Sequence, residues 1–148
     1  MNAIDVVKAG LAASESGHPA KLGEYLSDDM VFAGPVPQPV GKREFIGLMT
    51  ALVAAIPDWK FNAKDFKLNG DKVTVVAQIT GTQTGELNLP MPGFHKFPAT
   101  GKHIALPKEG MTVTVKNGKI TRLESEVVPG GGVNGILAQL GVPIPQMA

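Results

Sequence analysis

Lys116-Asn117-Gly118-Lys119-Ile120 carries the strongest short hairpin signal of this chain. An Asn-Gly pair between strand-like residues is typical of a type I′ turn, because both turn positions need a positive φ. The stretch therefore predicts an antiparallel hairpin near the end of the chain. A two-residue turn with a regular register pairs Val113 with Arg122 and Met111 with Glu124.

The second strand of this hairpin carries ionisable side chains on one face. Arg122, Glu124 and Glu126 are spaced by two residues, so on a regular strand they point the same way, beside the apolar residues of the first strand. A face that packs on a helix is normally apolar, and a solvated face is normally polar. We therefore interpret the mixed face as the lining of a pocket.

Hydrophobic periodicity predicts helices first and strands afterwards. Apolar residues recur at helical spacing at about 3–14, 19–26, 41–56 and 133–140. Strands are predicted at about 30–33, 59–68, 73–79, 87–89, 103–115 and 120–128, with a bulge near Lys64-Asp65 where the apolar phase changes. This order indicates an α+β fold, with helices packed on a strongly bent, mostly antiparallel sheet and a conical cavity between the two layers.

Composition limits the classes of function. The 148 residues fit one domain covering 1–148, and the 14 Lys and Arg nearly balance the 13 Asp and Glu. Basic residues are scattered, so no surface for nucleic acid is expected. Cysteine is absent, which excludes disulfides and thiol catalysis. No apolar run reaches the length of a membrane span, and we expect a cytoplasmic protein.

Several short fragments, in this order and spacing, resemble SnoaL-like polyketide cyclases of the nuclear transport factor 2-like superfamily. They are Tyr25-Leu26-Ser27-Asp28-Asp29-Met30-Val31, Gly41, Ile56-Pro57-Asp58-Trp59, Gly81-Thr82-Gln83-Thr84-Gly85, Pro98-Ala99-Thr100-Gly101-Lys102, Asn117-Gly118-Lys119-Ile120 and Gln139-Leu140-Gly141. The resemblance implies a single SnoaL-like domain with a cone-shaped, cystatin-like fold. It also implies a pocket at the wide end of the cone and a homodimer.

The chain departs from the pattern of the cyclases at two positions. The cyclases have an acid-base carboxylate near the end of the last strand, where this chain has Val128 or Pro129. Gln83 stands where many relatives have His. The mechanism of the cyclases therefore does not transfer residue by residue.

Glu124 and Glu126 are the predicted proton carriers. In an apolar cone, desolvation raises the pKa of a carboxyl group, and proximity separates the pKa values of a pair. Arg122 would hold an anionic group or pin one of the carboxylates. The same three residues are also typical of a solvated strand face or of an ion pair in a dimer interface, and the sequence leaves both readings open.

Other residues are candidates for ligand contacts. Gln83 and His95 would orient the substrate, and Trp59, Tyr25 and Met49 would supply an apolar wall. The alternatives are a strand end for Gln83, a loop position for His95 and an ordinary core position for Trp59. The three histidines lack the spacing of metal ligands, so we predict no metal and no cofactor.

Two classes of function fit these features. One is a cofactor-free acid-base enzyme of the cyclase or isomerase type that acts on a small, apolar carbonyl compound. The other is a noncatalytic ligand-binding or dimerisation module on the same fold, which the missing cyclase carboxylate favours. Protein docking in the manner of the transport factor is a third possibility, and it requires an exposed apolar patch on the sheet.

Overall fold

The computed structural model describes residues 2–16, 18–34, 38–90 and 94–142. Helices, in chain order, are α1 (Ala3–Glu15), a 3-10 helix (Pro19–Glu24), α2 (Lys42–Ala55) and α3 (Gly132–Leu140). Strands are β1 (Leu26–Ala33), β2 (Lys64–Asn69), β3 (Lys72–Ala77), β4 (Thr80–Thr82), β5 (His103–Ala105), β6 (Glu109–Lys116) and β7 (Lys119–Ser125). The predicted α+β order is therefore present.

The larger sheet of the described residues has the strand order β1-β7-β6-β3-β2. All neighbours in it are antiparallel except β1 and β7, which run parallel. β4 and β5 form a separate antiparallel pair. α1 contacts β2, β3, β6 and β7, so it covers one face of the sheet, and α2 packs against β1 and the 3-10 helix. The buried apolar core lies between these helices and that inner face.

The C-terminal hairpin forms at the predicted turn. Asn117 and Gly118 have φ values of 54° and 75°, as a type I′ turn requires. The bulge predicted near Lys64-Asp65 is present as well, because the register of β2 and β3 shifts between Lys64 and Lys67. Asp65 lies in this shift with a φ of 59°.

The predicted register of the hairpin is wrong beyond its first pair. Val115 pairs with Ile120, but Thr114 then pairs with Arg122, so Thr121 is the extra residue of a bulge. Because side chains alternate along a strand, one extra residue moves every later side chain to the opposite face. This bulge decides which side chains of β7 reach the core.

Other boundaries differ from the predicted ones for local reasons. β1 begins at Leu26, because Ser27 to Asp29 continue the strand instead of ending a helix. The predicted strand at 103–115 divides into β5 and β6, with Pro107 in the gap, where a missing N–H interrupts a ladder. Residues 59–63 are irregular apart from a bridge between Lys60 and Thr80.

α3 ends as predicted at Gly141. The φ of Gly141 is 73°, and the N–H of Val142 donates a hydrogen bond to the carbonyl of Leu137 at 2.9 Å. This left-handed C-terminal cap fits glycine, which has no Cβ to oppose a positive φ. In the described part of the chain, no helix has both the length and the apolar character needed to cross a membrane.

Candidate ligand-binding site

A cavity of about 80 Å³ lies between the helices and the inner face of the sheet. Its walls come from the 3-10 helix and all three α-helices, from β1, β6 and β7, and from segments between these elements. Apolar and aromatic side chains predominate, including Val7, Leu11, Leu22, Leu26, Phe32, Phe45, Leu48, Met49, Leu52, Trp59, Phe61, Ile79, Leu106, Met111, Val113, Ile120, Leu123, Val133 and Ile136. An apolar hollow with few polar groups is the usual form of a small-molecule site.

Glu109 is the ionisable residue in this lining, among the described residues. It begins β6 opposite Ala77 of β3, and only 5% of its surface is exposed. Its Oε2 atom has no hydrogen-bond partner among the described residues. Burial first, and the negative charge of Glu126 second, raise the pKa of Glu109 from 4.5 to about 7. The cavity thus contains a carboxyl group that changes charge near neutral pH.

Trp59 and Met49 also line the cavity, as their proposed role in an apolar wall requires. Trp59 is 3% exposed, and its ring stands edge-on to Phe61 with the ring centres 5.7 Å apart. Its indole Nε1 is buried without a hydrogen-bond partner among the described residues. Such a donor normally has a partner when it is buried, so a ligand oxygen would satisfy it.

Two serines complete the polar part of the lining. Ser14 of α1 donates its hydroxyl hydrogen to the carbonyl of Gly10 at 3.1 Å, so that group is already satisfied. Ser125 reaches the cavity from β7, where it pairs with Met111. The lining therefore offers Glu109, Trp59 and Ser125 for polar contacts with a ligand.

Glu124 and Glu126 do not line this cavity, contrary to the prediction. The bulge at Thr121 turns Leu123 and Ser125 inward, and Arg122, Glu124 and Glu126 are exposed. Glu124 accepts a hydrogen bond from Nε of Arg122, and this contact holds the pKa of Glu124 below its usual value. Arg122 therefore contacts a partner on the protein surface and faces no ligand in the cavity.

The two glutamates instead border an open groove of about 420 Å³ on the outer face of the sheet. Polar side chains share that groove, among them Asp65, Lys67, Thr74 and Thr112. Water reaches such a surface, so a carboxylate there is not desolvated as the acid-base hypothesis requires. The solvated-face alternative describes Glu124 and Glu126 better.

Gln83 is fully buried, but it forms hydrogen bonds with neighbouring loop residues and does not line the cavity. Its Nε2 donates to the carbonyls of Gly85 and Pro98 at 3.1 and 3.2 Å. Its Oε1 accepts from the backbone N–H and the hydroxyl of Thr100 at 3.1 and 2.6 Å. With its amide occupied by these four contacts, Gln83 is poorly placed to orient a substrate.

His95 and Tyr25 are also outside the cavity lining. His95 is exposed, in the irregular segment before β5. Tyr25 is partly buried against the core, and its carbonyl accepts the backbone N–H of Ile120 at 2.7 Å. The prediction that these two side chains contact the ligand therefore has no support from the geometry.

Sequence reasoning missed Glu109, although a signal was present. Glu109, Met111, Val113 and Val115 occupy every second position along the strand, so Glu109 lies on the same buried face as the other three. A carboxyl group on the buried, apolar face of a strand is removed from water at a cost in free energy. Such a group is therefore a candidate for a functional role. The predicted strand at 103–115 includes Glu109, but the predicted proton carriers lie on β7, whose phase the bulge reverses.

The family model for the SnoaL-like domain matches residues 7–123 of this chain. The chain therefore belongs to the SnoaL-like domain family, as the sequence fragments predicted. The match begins within α1, includes α2 and Glu109, and ends at Leu123 within β7. A search among curated proteins gave no match.

Solved structures share the fold. One is a candidate SnoaL-like polyketide cyclase from Jannaschia sp. CCS1, with a TM-score of 0.72, 16% identity and coverage of 96% of this chain and 93% of that chain. IdmH, a candidate polyketide cyclase from Streptomyces antibioticus, has a TM-score of 0.71 at 22% identity and covers 96% and 100%. A protein from Catenulispora acidiphila with a ketosteroid isomerase-like fold has a TM-score of 0.67 at 21% identity and covers 93% of each chain. The predicted α+β, nuclear transport factor 2-like fold is confirmed.

Proposed function

We propose that this SnoaL-like domain binds a small, largely apolar carbonyl compound in its cavity and moves a proton on it without a cofactor. The observation that carries the proposal is Glu109, a buried carboxyl group with an unpartnered oxygen in an otherwise apolar lining. Its carboxylate form takes a proton from the carbon beside the carbonyl, and its acid form returns one. Enolisation of this kind is the first step of aldol-type cyclisations and of proton-transfer isomerisations of carbonyl compounds.

Trp59 supplies the second polar contact in this proposal. Enolisation moves negative charge onto the carbonyl oxygen, and a fixed N–H donor in a water-poor site stabilises that charge. The indole Nε1 of Trp59 is buried and free for such a bond among the described residues. Met49 and the other apolar residues of the lining hold the hydrocarbon part of the ligand.

The alternative is a noncatalytic binding module on the same fold. Its support is the small and mainly apolar cavity, which binds a ligand by shape whether or not a proton moves. The two functions differ in one observable, which is exchange of the protons beside the carbonyl of a bound ketone. The homodimer and the cytoplasmic location stay predictions.

Binding of a ketone to Trp59→Phe tests the proposed donor. Cyclohexanone and methylenecyclohexane have nearly the same shape, but only the ketone accepts a hydrogen bond. We expect W59F to bind cyclohexanone about 5–10-fold more weakly than the wild type, because one net hydrogen bond of about 1 kcal/mol is lost. The dissociation constants would be measured from chemical-shift changes in titrations followed by NMR.

The hydrocarbon is the control for packing. W59F removes ring volume as well as the N–H group, and that loss weakens both compounds alike. We therefore expect W59F to lower the ratio of the affinity for cyclohexanone to the affinity for methylenecyclohexane. An unchanged ratio would show that Trp59 acts through packing alone.

A further inference from the structure

Glu126 holds the backbone next to Glu109 from the outer face of the sheet. The N–H of Glu126 donates to the carbonyl of Gly110 at 2.8 Å, and the N–H of Gly110 donates to Oε1 of Glu126 at 3.0 Å. Glu126 therefore satisfies both backbone polar groups of the residue that follows Glu109. The N–H of Gly110 belongs to the peptide that follows Glu109, and the carbonyl of Gly110 belongs to the next peptide, so the two hydrogen bonds hold the backbone on both sides of the Gly110 Cα atom. They restrict rotation of the backbone there, and the aim of the neighbouring Glu109 side chain depends on that rotation.

The two carboxyl groups lie on opposite faces of the sheet. Glu109 is buried among cavity residues, and Glu126 lies exposed in the outer groove. A negative charge disfavours a second negative charge nearby. The charge of Glu126 accordingly contributes to the raised pKa of Glu109, after burial.

Other charged groups around this pair have different partners or positions. In the outer groove, Asp65, Lys67 and Glu124 join Glu126, and Glu124 is paired with Arg122. Lys108 precedes Glu109 and is exposed. The lining contributed by the three α-helices contains no ionisable side chain among the described residues. Glu126 is thus the group bonded directly to the backbone beside Glu109.

We propose that Glu126 is a positioning residue for Glu109: its carboxylate accepts the N–H of the peptide that follows Glu109 and so aims the Glu109 side chain into the cavity. The negative charge of Glu126 acts on Glu109 as well. The inference rests on the proposed function for its role in catalysis. Its physical content, however, concerns the ligand-free protein. Glu126, which was predicted to be a proton carrier, acts here through another residue.

Two substitutions separate the charge from the hydrogen bond. Glu126→Gln keeps an oxygen that accepts the Gly110 N–H, and Glu126→Ala removes both the charge and the acceptor. Glu124→Gln is the matched control, because Glu124 lies in the same groove without a bond to Gly110. The readouts are the titration midpoint of the Glu109 carboxyl, followed by carbon-13 NMR, and hydrogen exchange of the Gly110 amide.

We expect E126Q to lower the midpoint of Glu109 by roughly half a pH unit while the Gly110 amide stays protected. E126A should lower the midpoint and also accelerate exchange at Gly110 about 10-fold or more. E124Q should change neither quantity. An unchanged midpoint in both Glu126 variants, or an equal decrease in E124Q, would overturn the inference. Because no ligand is present, failure of the protein to bind ketones would not mimic either result.

Discussion

In deuterium oxide near neutral pD, we expect the wild-type protein to accelerate deuterium incorporation beside the carbonyl of cyclohexanone, and Glu109→Gln to lose at least about 100-fold of that acceleration. A carboxylate accepts a proton from carbon, whereas a carboxamide has no basic site near neutral pH. The nearly isosteric change keeps the volume of the buried side chain, so the cavity should retain its shape. The exchange rate would be followed by proton NMR.

The control variant for this experiment is Glu124→Gln. Glu124 is a surface carboxylate paired with Arg122, and it lies outside the cavity lining. We expect E124Q to exchange at the rate of the wild type. Equal rates in E109Q and the wild type would remove Glu109 from the chemistry. Binding without any acceleration by the wild type would favour the noncatalytic module.

The pH dependence of stability should show a second large effect of Glu109. Burial raises its pKa in the folded protein to about 7, and in the unfolded chain the pKa is near the ordinary 4.5. Well below pH 4.5 the group is protonated in both states, so its raised pKa does not change the free energy of unfolding. As the pH rises from 4.5 to about 7, the unfolded chain gives up its proton first. The folded state therefore loses stability relative to the unfolded state.

We therefore expect the free energy of unfolding of the wild type to fall, relative to E109Q, by roughly 3 kcal/mol between pH 4 and pH 8. The decrease levels off above pH 7, where Glu109 is ionised in both states. Urea unfolding of both proteins across this range measures the difference, and background carboxyl groups cancel in it. Parallel pH profiles for the two proteins would be incompatible with a raised pKa at Glu109.

The fold was largely predictable because its signals are local. Asn117-Gly118 requires a type I′ turn, Gly141 suits a left-handed cap, and the apolar stripe of α2 has an unbroken helical period. The change of apolar phase near Lys64-Asp65 reveals a bulge within the sequence itself. The strand break at Pro107 follows from the missing N–H of proline, and the apolar phase changes across it, from Ile104 and Leu106 to Met111 and Val113.

The site was less predictable because it depends on the bulge at Thr121, for which the sequence offers no signal as clear as the one near Lys64-Asp65. Thr121 lies between Ile120 and Arg122, and a β-branched residue fits a regular strand as well as a bulge. Its insertion turns Leu123 inward and Glu124 outward, which reverses the assignment of the cavity face. The alternation along β6, in contrast, is regular from Val113 back to Glu109 and places the Glu109 carboxyl on the buried face.

Roles that depend on distant contacts also escaped the sequence. Gln83 was a candidate for contacting a ligand, yet its amide joins Gly85, Pro98 and Thr100, up to seventeen residues away. Trp59 lines the cavity, but its unpartnered N–H appears only when all neighbouring groups are placed. Such properties arise from packing between separate segments, which periodicity does not record.

The burial of a carboxyl group in the cavity is tested by the carbon-13 NMR titration of Glu109 in the ligand-free wild type, with the signal assigned by comparison with E109Q. A carboxyl group enclosed in an apolar cavity beside the charge of Glu126 should titrate with a midpoint near the value of about 7 that its surroundings impose. A midpoint near 4.5, the ordinary value for glutamate, would contradict the claim, because it would place Glu109 in contact with bulk water.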